Sequence, residues 1–199
     1  MMELAPLGLI VGGYLLGGVM PAELAFRLKF GKRAFETGEK PGTFSVFRKI
    51  GFIPALLVLI FDVAKGFLPV WLAFFWQINL NWLPLIAAAP VAGHSWPFLR
   101  WKYGGWALAT TCGVIWALAG WVGWIALGVG IISARIYYKN PGPALAAAGV
   151  PTVLALMIWQ NEPWQSILAV IAAAGVVFIR RITGERNSPE MKVRQQEKA

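Results

Sequence analysis

The 199-residue sequence is poor in the residues that most soluble sites and folds rely on, with one cysteine, one histidine and nine acidic residues. A lone Cys112 excludes an internal disulfide, and with only His94 beside it no thiol and imidazole set exists for a zinc site. No metal and no cofactor is expected. Charged residues make up 14% of the chain against 58% hydrophobic ones, and the mean hydropathy is +0.62. That is too little polar surface to cover a soluble domain of this length. The eighteen Lys and Arg against nine Asp and Glu leave a net charge of +9. Because the basic residues sit beside apolar stretches, anionic lipid headgroups are the expected partner, and nucleic acid is not.

What is present is a strict alternation. Seventeen of the eighteen Lys and Arg fall in blocks at 27–49, 100–105, 135–139 and 180–199. Between them run apolar stretches at Leu4 to Phe26, Phe52 to Trp76, Trp82 to Leu99, Trp106 to Ser133, Ala144 to Trp159 and Ile167 to Ile179. The breaks at Gln77 to Asn81 and Gln160 to Ser166 carry no Lys or Arg. Such a pattern predicts an all-α, polytopic membrane helix bundle with the basic loops in the cytoplasm. Met-Met-Glu gives no basic n-region, so the first stretch reads as a retained span with its N-terminus outside. Taking 106–133 as two short helices broken near Gly120 gives seven spans and puts all four basic blocks inside; taking it as one helix gives six and places two of them outside. Seven is the expectation, with a single transmembrane domain over 1–184 and a polar basic cytoplasmic tail over 185–199.

Three ionisable residues, Glu23, Asp62 and Lys65, lie inside apolar stretches, where each needs a partner. Asp62 and Lys65 are three apart, on one helical face, which predicts an intramembrane ion pair. The densest chemistry lies in Gly93-His94-Ser95-Trp96-Pro97-Phe98-Leu99-Arg100-Trp101-Lys102-Tyr103-Gly104-Gly105. An imidazole, two cations and a glycine pair able to offer backbone N–H groups together suit phosphate binding. Taken alone, His94 reads more readily as a hydrogen-bonded structural residue than as an acid or base.

This order of residues resembles the bacterial integral membrane glycerol-3-phosphate acyltransferases that use acyl-phosphate as donor. Their pattern is Gly-His-x-Tyr-Pro, five further positions, then Lys-Gly-Gly-Lys-Gly-x-Ala-Thr. Here Gly93, His94, Pro97, Gly104, Gly105, Ala109 and Thr110 match, with Trp96 in the Tyr place and Tyr103 and Trp106 in the two Lys places. Tyr14-Leu15-Leu16-Gly17 with Pro21, Asp62-Val63-Ala64-Lys65-Gly66, and Arg48 with Gly51 extend the likeness over roughly residues 8 to 140. The family's first-loop pattern Gly-Ser-Gly-Asn-x-Gly-Ala-Thr-Asn falls on Thr37-Gly38-Glu39-Lys40-Pro41-Gly42-Thr43-Phe44-Ser45, where Gly42 matches. The C-terminal His-Arg-x-Asn has no counterpart near Arg180 and Arg181. The resemblance implies an acyltransferase of the bacterial inner membrane, multi-pass and active on its cytoplasmic face, that takes acyl-phosphate and glycerol-3-phosphate and makes lysophosphatidic acid for phospholipid synthesis. It implies Arg48, Arg100 and Lys102 for phosphate, His94 as an acid-base or hydrogen-bonding group, Gly42, Gly104 and Gly105 as amide donors, and Thr43 and Ser45 as hydroxyls. The replaced lysines leave an alternative, a family member without catalysis that serves as a lipid- or partner-binding membrane subunit. A small transporter also suits intramembrane charge and proline-kinked helices.

Overall fold

The structure is a computed structural model that describes residues 4–37, 39–98, 104–122, 124–125, 128–129, 132 and 149–185. Helix is the only regular secondary structure among them. In chain order the helices are α1 (Ala5–Gly17), α2 (Pro21–Phe30), α3 (Thr43–Lys49), α4 (Phe52–Phe75), α5 (Leu83–Ser95), α6 (Leu108–Ala119), α7 (Val150–Trp159) and α8 (Trp164–Glu185). Short 3₁₀ turns at Ala34–Thr37 and Leu80–Trp82 join neighbours. Prolines at the first helical turns of α1, α2, α5 and α7 mark their starts, where a missing N–H costs no helical bond.

Among the described residues, three segments are long and apolar enough to cross a membrane: Ala5–Phe30, Phe52–Phe75 and Trp164–Thr183. At 1.5 Å per residue, α4 reaches about 36 Å, more than the hydrocarbon thickness. Its inner stripe is Ala55, Val58, Asp62, Lys65, Gly66, Pro69, Val70 and Ala73, buried at helical spacing. Its outer face shows Ile53, Leu57, Ile60 and Phe75. A helix apolar on both faces has protein on one side and lipid on the other. The core joins Leu9, Val70, Ile86, Val91, Val114, Val153, Met157 and Val170 from six helices, and a smaller cluster around Phe26, Val46 and Val58 packs α2 and α3 on the start of α4.

Two glycine contacts draw the helices together. On α4 and α6, a Cβ at Gly66 would overlap the Thr110 carbonyl, and one at Gly113 would overlap that of Val63. On α1 and α5, Gly17 lies against the Pro90 carbonyl and Gly93 against that of Tyr14. Small residues here let backbones meet, as in close membrane helix packing.

The first apolar stretch, read as one span over Leu4 to Phe26, lies within one apolar segment, Ala5–Phe30, that is built of two helices. α1 stops at Gly17 and α2 starts at Pro21, which has no N–H for the Gly17 carbonyl. Glu23 N–H turns to Met20 O rather than Val19 O, so the Val19 carbonyl loses its helical donor. The helix also continues beyond Phe26 to Phe30, closed by Gly31 at φ 64°. At the other break, α6 ends at Ala119 and Gly120 adopts φ 55°, ψ −117°.

Candidate functional site

α4, α5 and α6 converge on one buried polar cluster. Asp62 and Lys65 lie on the inner stripe of α4, and Lys65 Nζ is 2.7 Å from Asp62 Oδ1. The ammonium also donates to the Val19 carbonyl at 2.9 Å, so it fills the place left open by the break in the first span. Both side chains are almost fully enclosed. The predicted ion pair is therefore formed, and it ties α4 to the α1–α2 junction.

His94, in the last turn of α5, faces the same carboxylate. Its Nδ1 stands 3.7 Å from Asp62 Oδ1 and 3.5 Å from Thr110 Oγ1 on α6. The imidazole is 4% exposed. Gly105 closes it from the remaining side: a Cβ there would collide with His94 Nε2 and would lie 2.8 Å from the Pro41 carbonyl. Gly105 N–H donates to His94 O at 3.1 Å, so this amide, expected as an anion donor, is engaged inside the protein. Gly104 packs equally tightly, on the Ser95 and His94 carbonyls. The glycine pair is thus the contact that lets loop 104–107 lie directly on the end of α5.

The loop before α3 meets this centre where the Pro41 carbonyl faces Gly105, and further candidate residues lie on and beside α3. Arg48 is exposed, paired with Glu39 at 2.7 Å and seated over the Phe44 ring. Lys49 shares the same carboxylate at 3.6 Å. Ser45 Oγ donates to Gly42 O at 2.8 Å, while the buried Thr43 Oγ1 makes no hydrogen bond. Gly42 precedes α3 in extended backbone. Arg100 and Lys102 lie outside the described residues. Tyr14 of α1 donates to the Trp96 carbonyl at 2.7 Å, and a cavity of about 470 Å³ opens at the α1–α2 break beside it, lined by Val19, Leu24, Pro97 and Phe98 among others.

The match to known proteins spans nearly the whole of this arrangement. Residues 7–186 fit the family model described as glycerol-3-phosphate acyltransferase. The chain belongs to the glycerol-3-phosphate acyltransferase family. The glycerol-3-phosphate acyltransferase of Photobacterium profundum is 33% identical over 175 residues, covering 86% of this chain and 83% of that protein. The Cronobacter sakazakii glycerol-3-phosphate acyltransferase is 40% identical over 169 residues, covering 82% and 78%. The fold matches a crystal structure of PlsY, an integral membrane glycerol 3-phosphate acyltransferase in its glycerol 3-phosphate form. The TM-score is 0.77 and the identity 22%, over 91% of this chain and 90% of that one. A second structure of the same protein, in the lysophosphatidic acid form, matches with a TM-score of 0.76 over 88% and 87%.

Within this glycerol-3-phosphate acyltransferase family member, sequence reading missed the contribution of α8. Arg180 Nη2 donates to the Gly104 carbonyl at 2.9 Å, and its guanidinium lies over the Trp96 ring. Its neighbour Arg181 lies over the ring of Trp106, as does Lys40 from the loop before α3. Local sequence gives no signal for a contact across 76 residues; the hint was a pair of arginines at the end of an apolar stretch.

Proposed function

We propose that this chain transfers a fatty acyl group from acyl-phosphate to a hydroxyl of glycerol-3-phosphate, giving lysophosphatidic acid and releasing inorganic phosphate. The hydroxyl oxygen attacks the acyl carbonyl, the bond from that carbon to the phosphate oxygen breaks, and the hydroxyl proton goes to the departing phosphate. Nothing in this balance calls for a metal or a redox partner. The chain's part is to hold two phosphates and one apolar tail in register, which turns a two-substrate encounter into a positioned reaction.

The observation that carries the reading is the joining of Asp62, His94, Gly105 and Thr110 into one buried cluster, all four on positions where the chain keeps the family pattern. Arg48, Arg100 and Lys102 are assigned to phosphate, Gly42 and Gly104 to amide donation, and Thr43 and Ser45 to hydroxyl donation. His94 is assigned a positioning role rather than that of a base on the substrate, because its ring is enclosed by Asp62, Thr110 and Gly105. It holds the 104–107 loop through its carbonyl and through the contact of its ring with Gly105. The cavity at the α1–α2 break, bordered by Leu24, Pro97 and Phe98, takes part of the acyl chain. The domain spans 1–184 with seven crossings, N-terminus outside and the site on the cytoplasmic face of a bacterial inner membrane. The four basic blocks support this orientation.

The test is direct. Purified full-length protein in lipid nanodiscs, given acyl-phosphate and labelled glycerol-3-phosphate, is expected to form lysophosphatidic acid, and Gly105→Val to abolish it. Folded wild-type protein that makes no product above that control overturns the reading for this substrate pair.

A further inference from the structure

Two acids, Glu36 and Glu39, stand among the seven Lys and Arg of the 27–49 block, and they are used differently. Glu36 stays within its own turn, where Oε2 accepts from the Arg33 N–H at 2.7 Å. Glu39 reaches across to the end of α3. Its Oε2 lies 2.7 Å from Arg48 Nη2 and its Oε1 lies 3.6 Å from Lys49 Nζ, so one carboxylate meets two cations. The Glu39 side chain is 14% exposed, whereas those of Arg48 and Lys49 are 52% and 49% exposed. The carboxylate is covered and the cations are open, so an anion arriving from outside finds Glu39 already seated on them.

The backbone holds Glu39 in place, since its N–H donates to Ala34 O at 3.0 Å. Two residues on, the Pro41 carbonyl lies against Gly105, which in turn covers His94. Arg48 rests with its Cζ 5.2 Å from the centre of the Phe44 ring. Phe44, Phe47 and Phe52 are exposed, and the last two meet edge to face at 6.5 Å. Exposed aromatics and cations together at the start of a membrane-crossing helix mark the level of the lipid headgroups. Phosphate reaches this level on a substrate and on the headgroups themselves.

A carboxylate tethered nine residues away competes with a free anion as though present at a concentration on the order of millimolar. Half-exposed ion pairs are individually weak, so Glu39 yields to a phosphate, which brings more charge and more acceptor oxygens. It lowers affinity without closing the place. It also changes the effect of other anions: a headgroup that competes for bare cations is the first competitor, but beside Glu39 it is only the second, and its fractional effect is smaller. The family pattern carries glycine at position 39, so this carboxylate is a feature of the present chain.

We propose that Glu39 is a tethered counter-anion that sets the phosphate affinity of Arg48 and Lys49, occupying both cations until a phosphate displaces it and buffering them against lipid headgroups. The part Arg48 plays toward a substrate rests on the acyltransferase reading; the competition between Glu39 and phosphate does not.

The experiment uses the full chain in nanodiscs at low salt. Titration calorimetry with inorganic phosphate reports binding apart from turnover, and initial rates with glycerol-3-phosphate and acyl-phosphate varied in turn report KM. In uncharged lipid, Glu39→Gln, which keeps the side-chain size and removes the charge, is expected to tighten phosphate binding about threefold to tenfold, the scale of releasing exposed ion pairs. A purely structural Glu39 predicts the opposite sign, because a loosened loop binds less well. Replacing half of the lipid with phosphatidylglycerol is expected to weaken phosphate binding in Glu39→Gln by a factor about twofold or more greater than in wild type. A KM that falls for one substrate names the ligand whose phosphate meets these cations. Tighter phosphate binding in a variant that forms no product, like a wild type that forms none, supports the role of Glu39 while it removes the acyltransferase reading. Folded Glu39→Gln that binds phosphate within twofold of wild type or more weakly, or that responds to phosphatidylglycerol as wild type does, overturns the proposal. If Glu39→Gln does not give monodisperse protein, Glu39→Ala, which keeps the N–H to Ala34, takes its place with the same thresholds.

Discussion

Replacing Lys65 with methionine tests the buried pair that ties α4 to the break in the first span. The substitution keeps most of the side-chain volume and removes the ammonium. It leaves the Asp62 carboxylate, 2% exposed, without its 2.7 Å partner, and takes from the Val19 carbonyl the ammonium that donates to it. Removing one member of a buried pair costs about 3–5 kcal/mol, because the remaining charge has lost water and partner together. The orphaned carbonyl adds about 1–3 kcal/mol. Neutralising both residues removes the stranded charge, so Asp62→Asn with Lys65→Met is expected to be less damaging than Lys65→Met alone. For a chain of this length each kcal/mol moves the unfolding midpoint by roughly 2–4 °C. Lys65→Met is therefore expected to lower the midpoint by at least about 8 °C in nanodiscs, followed by tryptophan fluorescence, with the double variant recovering part of the loss. A Lys65→Met midpoint within 2 °C of wild type would refute the idea that this pair organises the junction.

The remaining expectations concern the loop on His94. Gly105→Ala places a methyl group on His94 Nε2 and near the Pro41 carbonyl, so it is expected to cut turnover by about 10-fold or more, as misplacing a positioned group does, while the helix content by circular dichroism is kept. His94→Asn is expected to lower kcat while leaving the shape of its pH profile unchanged, since the ring acts through the loop rather than on the substrate's proton; loss of one limb of the profile would assign it to acid-base work instead.

Much of the fold was legible because membrane solvent leaves a coarse signature. Apolar stretches, sparse acid and basic blocks marked a helical membrane protein, and the i, i+3 spacing of Asp62 and Lys65 marked their pair. Gly93 to Thr110 stood out as a candidate site because its residue types cluster in sequence. The break at 18–20 was hidden from hydropathy, since an apolar average takes no account of an N–H missing at Pro21 or a donor diverted from Val19 to Met20. The cations over Trp106 were hidden for a different reason. They come from residues 40 and 181, and only the close approach at Gly105 and the docking of α8 on α5 bring them together.

The most direct measurement is the rate at which the purified full-length protein converts labelled glycerol-3-phosphate and acyl-phosphate into lysophosphatidic acid, followed by mass spectrometry. Product accumulating with time and enzyme concentration, matched one for one by released inorganic phosphate and absent in Gly105→Val, is the predicted result. Folded wild-type protein that binds both substrates yet forms no ester would contradict the central claim.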